Sequence, residues 1–210
     1  YARGGWITFF EQMQQLRGFT QVLLDLAEES REIYRLRDDL LQFHLSQLDK
    51  WLAHNYDGIH FADDWGSQNN LFISPEVWRK FFKPVYKAMF EKVTAAGMDV
   101  HFHSDGYIVE IIPDLIDLGV KVLNAQVNIM DLDWIQKNFN GKVCFRSDLD
   151  RQNVTLFGTP EDVRRTAHAN IAHVLADGGR IVLTTAGSIN PGTPFENIRA
   201  LMQASREHVV

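Results

Sequence analysis

Three segments of the chain share one pattern, and that pattern limits the fold more than any other feature. In Ile59-His60-Phe61-Ala62-Asp63-Asp64, in Val100-His101-Phe102-His103-Ser104-Asp105 and in Val143-Cys144-Phe145-Arg146-Ser147-Asp148, residues of contrasting polarity alternate. A period of two is the signature of a β-strand, whose successive side chains point to opposite faces. One face then carries Ile59 and Phe61, Val100 and Phe102, or Val143 and Phe145. The other carries His60, Ala62 and Asp64, then His101, His103 and Asp105, then Cys144, Arg146 and Asp148, each stripe ending in a carboxylate. Strands of a doubly wound parallel sheet are covered by helices on both faces and read as apolar throughout. In a barrel, helices cover only the outside, and the lumen holds polar groups near a site. The pattern points to a barrel, with each stripe ending at the C-terminal mouth, where barrel enzymes place their chemistry.

Helices fill the intervals between these strands. A short apolar run at 7–10 reads as a strand, and 19–29 has helical spacing. Ser30 caps a long helix over 31–54 whose stripe is Ile33, Leu36, Leu40, Phe43, Leu48 and Leu52. Ser74, with Pro75 at the first helical position, opens a helix that runs to Ala96 before Gly97. Further helices are expected at 108–118, at 130–138, from Thr159-Pro160 to Gly178, and from Thr193-Pro194 to Arg206. Strands at 57–63, 99–105, 120–126, 142–148 and 180–185 alternate with them, the rhythm of βαβ units and a parallel sheet. The expectation is one α/β domain over 1–210, a (β/α)8-type barrel with about five to six βα units, incomplete at its N-terminus because such barrels have eight. An open barrel wall leaves an unpaired strand edge, so a homo-oligomer is expected.

Charge and cysteine content narrow the partners. With 21 Lys and Arg against 27 Asp and Glu, the net charge is −6, which argues against nucleic acid and anionic membranes as partners. No apolar run approaches the ~20 residues of a membrane span. Residues 1–5 do not begin a secretory signal, and the single Cys144 permits no internal disulfide. A reducing, cytoplasmic setting is the expectation.

His101-Phe-His103-Ser-Asp105-Gly106 is the sharpest cluster. Residues i, i+2 and i+4 of a strand share a face, and two imidazoles with a carboxylate bind a divalent ion, act as acid, base and orienter, or form a plain hydrogen-bonded network. Asp64 belongs with them, because charge is expensive on an inward face unless it has a task. Its neighbour Asp63 points to the opposite face, and the plainer reading of the pair is an Asx turn or a cap for the loop at 67–70. Asn124 and Gln126 end the third strand, where neutral amides suit a polar ligand or a structural role. Arg146 is placed to hold a substrate carboxylate or to pair with Asp148 or Asp105. Cys144 reads as a small buried apolar group. Nothing matches a phosphate loop or a dinucleotide fingerprint.

Several longer motifs carry a family resemblance. Asp63-Asp64-Trp65-Gly66-Ser67-Gln68-Asn69-Asn70-Leu71-Phe72-Ile73-Ser74-Pro75 and Phe82-Lys83-Pro84 are similar to segments of the uroporphyrinogen decarboxylase (URO-D) superfamily. So are His103-Ser104-Asp105-Gly106, Ile111-Ile112-Pro113-Asp114-Leu115-Ile116 and Gly119-Val120-Lys121-Val122-Leu123-Asn124, and Pro191-Gly192-Thr193-Pro194-Phe195-Glu196-Asn197-Ile198 resembles its closing signature. The resemblance implies a (β/α)8 barrel with its site at the C-terminal mouth. It implies one of two chemistries: cofactor-free tetrapyrrole decarboxylation, as in porphyrin biosynthesis, or zinc-dependent methyl transfer between corrinoid proteins and a thiol such as coenzyme M, or tetrahydrofolate. The chain departs from both patterns. The decarboxylases' arginine-rich motif would precede Tyr1, and their late histidine would fall at Gly187. The methyltransferases' His-x-Cys keeps its histidine at His103, has Asp105 in place of the cysteine, and meets Gly187 where a second cysteine would stand.

Electrostatics chooses between the two. A polycarboxylate substrate needs cations, and the inward stripes offer Arg146 beside several carboxylates. His103 and Asp105 are the expected metal ligands, for zinc or another divalent ion, in a harder N/O set than a thiolate site. The expected catalytic residues are Asp64, His103, Asp105 and Asp148. Those expected to bind a small-molecule substrate are His101, Trp65, Gln68, Asn124, Gln126 and Arg146. Metal-assisted methyl or related group transfer is preferred, with a corrinoid protein or a small thiol or folate as partner. Tetrapyrrole decarboxylation without a metal is the alternative, and a non-catalytic ligand-binding module the third reading.

Overall fold

A computed structural model describes residues 1–148, 150, 152–184 and 189–207. Strands and helices alternate in the order β1 (Arg3–Ile7), α1 (Phe10–Arg17), α2 (Phe19–Ala27), α3 (Arg31–Leu52), β2 (Gly58–Ala62), α4 (Pro75–Phe81), α5 (Lys83–Ala95), β3 (Asp99–Ser104), α6 (Ile112–Asp117), β4 (Val120–Ala125), α7 (Leu132–Phe139), β5 (Cys144–Asp148), α8 (Val154–Phe157), α9 (Pro160–Leu175), β6 (Arg180–Thr184) and α10 (Phe195–Glu207). The chain forms two compact units, Tyr1–Val122 and Leu123–Val210. No helix among the described residues is long and apolar enough to cross a membrane.

In the first unit β1, β2 and β3 lie side by side in chain order and parallel, with His60 opposite His101 and Ala62 opposite His103. The β1–β2 register shifts between Gly4 and Ile7, and Gly5 takes φ +75° there, a backbone that an L side chain rarely adopts. The expected division of faces holds. Phe61 packs on Phe90 of α5 with ring centroids 4.8 Å apart, and Phe102 meets Tyr86 and Phe90 of the same helix at 5.4 and 6.1 Å. On the other face His60 meets the ring of Trp6 and His101 that of Tyr1. In the second unit β5 and β6 are parallel, from Cys144 opposite Arg180 to Asp148 opposite Thr184. Sequential parallel strands joined through helices make an α/β fold of the (β/α)8-barrel type, with six strands among the described residues.

Side-chain caps set the starts of α3, α4, α7 and α9. The Ser30 and Ser74 hydroxyls accept from the backbone N–H of Ile33 and Val77, both at 3.3 Å, and Thr159 with Asp162 forms a capping box. Three expectations need correction. The strand expected at 7–10 ends at Ile7, and Phe10 already begins α1. The helix expected from Pro75 to Ala96 breaks at Phe82, because Pro84 has no N–H for the carbonyl four residues back. The helix expected at 108–118 is shorter, a 3-10 turn over Val109–Ile111 followed by α6. In the second unit α9 packs on α10 through Val163, Ala167, Ala200, Leu201 and Ala204, where small residues let the helices approach closely.

His44 of α3 is buried against Phe9 and Phe43, and its Nε2 has no hydrogen-bond partner among the described residues. Burial pushes its pKa down to about 4 from an ordinary 6.5. Between these values the unfolded chain binds a proton that the folded chain refuses, so stability falls as pH drops from about 6.5 to about 4. The expected loss is about 2 kcal/mol, absent in His44→Phe; urea melts of both proteins at pH 7 and pH 4 measure it. Equal losses in the two proteins would show that His44 is not the group responsible.

Candidate functional site

Two adjacent carboxylates at the end of β2 do different things. Asp63 is buried and accepts from the backbone N–H of Phe9 (2.9 Å) and Glu11 (2.9 Å) and from the Tyr86 hydroxyl (2.6 Å). It caps α1 from outside, a helix whose own N-cap residue Phe9 supplies no side-chain hydrogen bond. Burial pushes the Asp63 carboxyl up to about 7 against the opposing pull of these donors. The plainer reading of the pair as a cap for the loop at 67–70 is not what Asp63 does: it holds the start of α1 instead. Ser67 holds that turn itself, its Oγ accepting from the N–H of Asn70.

Asp64 turns the other way, towards His103 and Asp105. His103 Nε2 lies 3.6 Å from Asp64 Oδ1 and 3.7 Å from Asp105 Oδ1, and one donor atom of each residue lies within 4.8 Å of the others. Side chains alone do not set this convergence. Asp64 Oδ1 accepts the backbone N–H of Asp105 at 2.8 Å, and Trp65 N–H donates to Ser104 Oγ at 3.0 Å. Tyr107 N–H donates to the Ser67 carbonyl at 2.8 Å, so the loop after β2 is laced to the loop after β3. The two backbones touch at glycines: a Cβ on Gly106 would lie 2.0 Å from the Gly66 carbonyl oxygen.

The donor set fits a divalent ion. Ligand atoms about 2.0–2.2 Å from tetrahedral zinc lie roughly 3.4 Å apart, close to the observed separations. One imidazole nitrogen and two carboxylate oxygens suit zinc or a harder divalent ion. Glu11, which the sequence reading missed, joins the same wall. Burial and the Asp64 charge push its carboxyl pKa up, and His103 opposes them. Glu11 and Asp64 line a cavity of about 620 Å³ with Gln14, Gln15, Phe19 and Phe72, the two phenylalanines meeting edge to face at 5.3 Å.

His101 is on the same face of β3 as His103, but two residues of strand separate them by about 6.6 Å. Its Nε2 is 2.8 Å from the Tyr1 hydroxyl, which donates to Asp99 at 2.9 Å. Trp65 is fully buried: it stacks on Phe10 at 4.2 Å and donates from its indole nitrogen to Tyr86 at 3.1 Å, so its place is in the core. Gln68 is exposed in the loop that Gly66 and Leu71 close. Asn124, Gln126 and Arg146 belong to the second unit. Asn124 Nδ2 donates to the Arg146 carbonyl at 2.9 Å, Gln126 is buried just after β4, and Arg146 is half-buried in β5. The Asp148 side chain and Gly187 lie outside the described residues.

Comparison with solved structures supports the fold. A methyltransferase from Methanosarcina mazei superposes with a TM-score of 0.78 at 18% identity, over 98% of this chain and 58% of that one. The chain thus spans somewhat over half the length of that relative. Dihydropteroate synthase from Xanthomonas albilineans gives a TM-score of 0.51 at 14% identity, over 98% of this chain and 68% of that one. The Vibrio fischeri 7,8-dihydropteroate synthase gives 0.50 at 13%, over 80% and 62%. No curated protein sequence matches the chain. The family model described as uroporphyrinogen decarboxylase (URO-D) matches residues 3–208, nearly the whole chain, in accord with its six sequential strands. The chain belongs to the uroporphyrinogen decarboxylase (URO-D) family.

Proposed function

We propose that this chain serves a metal-assisted transfer of a methyl or related group, with His103, Asp105 and Asp64 as the protein's donors to a divalent ion. The observation that carries the reading is the convergence of one imidazole nitrogen and two carboxylate oxygens within 4.8 Å. Bound there, a divalent ion such as zinc supplies a Lewis acid that favours the thiolate form of a small thiol acceptor. The protein's own groups do the rest. The Asp105 N–H fixes Asp64 Oδ1, so the two carboxylates need little reorganisation to act together. Glu11, made more basic by burial and by Asp64, takes the proton that the acceptor loses. Phe19 and Phe72 offer their rings to the apolar part of a substrate.

The charge of the wall favours this chemistry over tetrapyrrole decarboxylation. Glu11, Asp64 and Asp105 repel a polycarboxylate, and among the described residues that line the cavity none is cationic. The fold shared with the Methanosarcina mazei methyltransferase supports the same choice. A corrinoid protein is the proposed methyl partner, so methylcobalamin and coenzyme M make the simplest assay. With Zn²⁺, the chain should speed the loss of methylcobalamin absorbance at least about tenfold over the protein-free reaction, ~1.4 kcal/mol of barrier. Asp64→Ala should return the rate to background. A rate equal to background with and without Zn²⁺ would overturn the proposal.

A further inference from the structure

A second cavity, of about 300 Å³, opens between the end of β1, α1 and α3. Trp6 enters it from the strand, Gln12 and Gln15 from α1, and His44, Gln47 and Trp51 from α3. Among the described residues that line it there is no carboxylate, ammonium or guanidinium group. Three amides, each with an acceptor oxygen and two N–H donors, stand beside two indoles, and Trp6 is 65% exposed. His44 is only 5% exposed, and its Nε2 meets no partner among the described residues. An unsatisfied buried nitrogen in a native fold calls for an explanation. Burial keeps this imidazole neutral at physiological pH, so it offers one donor and one acceptor.

These properties define a ligand class. A charged ligand would lose its hydration here with no opposite charge to offset the loss. Amide side chains pair in bidentate fashion with adjacent donor and acceptor groups on a heterocycle's edge, as Gln does with adenine. Indoles stack on the faces of such rings. The volume lies at the lower bound of ligand pockets, roughly 300–1,000 Å³, so the cavity takes one ring system with at most a sugar-sized substituent. We propose that this cavity binds an uncharged, planar nitrogen heterocycle of the purine type, at a site separate from the Asp64–His103–Asp105 donor set.

Calorimetric titration of the 210-residue chain with adenosine tests it. Adenosine should bind saturably with Kd between about 10 μM and 1 mM, a range fitting a ligand of this size. Gln47→Leu and Trp6→Ala should each raise Kd at least about tenfold, with thermal melts showing that both variants stay folded. His103→Ala should leave adenosine binding unchanged, so this proposal stands or falls apart from the methyl-transfer reading. AMP should bind no more tightly than adenosine, because no cation meets its phosphate. Absence of saturation up to ~10 mM adenosine would overturn the proposal. So would equal binding by folded Gln47→Leu, tighter binding of AMP, or equal binding of glucose in place of the heterocycle.

Discussion

His103→Ala should lose divalent-ion binding, with Zn²⁺ and Co²⁺ affinities falling by at least about 100-fold. The imidazole is the one nitrogen donor in the set, and without it two carboxylates remain, partners better suited to Ca²⁺ or Mg²⁺. The side chain is half-buried at a strand end, so its removal should leave the fold intact, and a thermal melt checks this. His168→Ala is the control: that imidazole sits on α9, 3.0 Å from Glu207, and its loss should not change ion affinity. Asp105→Cys extends the test. It should keep ion binding, shift preference towards softer metals, and make affinity fall as pH drops and the thiolate protonates. Isothermal titration of Zn²⁺ and Co²⁺ into the four proteins reads all of this. Wild-type affinity in folded His103→Ala would remove His103 from the donor set.

Gly106→Ala should cost about 3–5 kcal/mol of stability and weaken ion binding as well. Gly106 has φ +84°, and an added Cβ would lie 2.0 Å from the Gly66 carbonyl oxygen, with backbone rather than a flexible side chain on the far side. The loops after β2 and β3 must then part, and the Asp105 N–H that holds Asp64 moves with them. Gly97→Ala separates strain from collision. Gly97 has a similar φ of +76° with nothing within 4 Å of its Cβ position, so only the backbone term of about 1 kcal/mol applies. Urea midpoints rank the three proteins, and similar losses in the two variants would count against a close contact between the loops.

Strand alternation made the division of faces legible before any coordinates. A β-strand offers only two directions, and Phe61 and Phe102 point at α5 while His60, His101 and His103 point away. The convergence of His103, Asp105 and Asp64 follows from that parity together with the parallel register of β2 and β3. The helix caps were legible because Ser30, Ser74 and Thr159 act within three residues of themselves. What escaped depends on distant partners. Nothing around Phe10-Glu11 reports that a carboxylate 52 residues away anchors that turn and brings Glu11 to the wall. Trp65 sits in a motif rich in polar residues, yet ring stacking on Phe10 and an indole hydrogen bond to Tyr86 hold it in the core. His101 shares a face with His103, but facing says nothing about distance along a strand. Pro84 was in plain view, and local proline chemistry was enough to end α4 near it.

The back-to-back orientation of Asp63 and Asp64 has a consequence for how this protein can change. One carboxylate fastens a helix, and the next, by the same peptide unit, faces the cavity. Loss or gain of one residue in β2 would exchange their directions at a stroke, sending the anchor into the cavity and the donor into the core. Substitutions can adjust either job alone, but length changes cannot. Variation in this family member is therefore steered away from insertions within 58–64 and towards the exposed loop beyond it, where Gln68 and Asn69 face solvent.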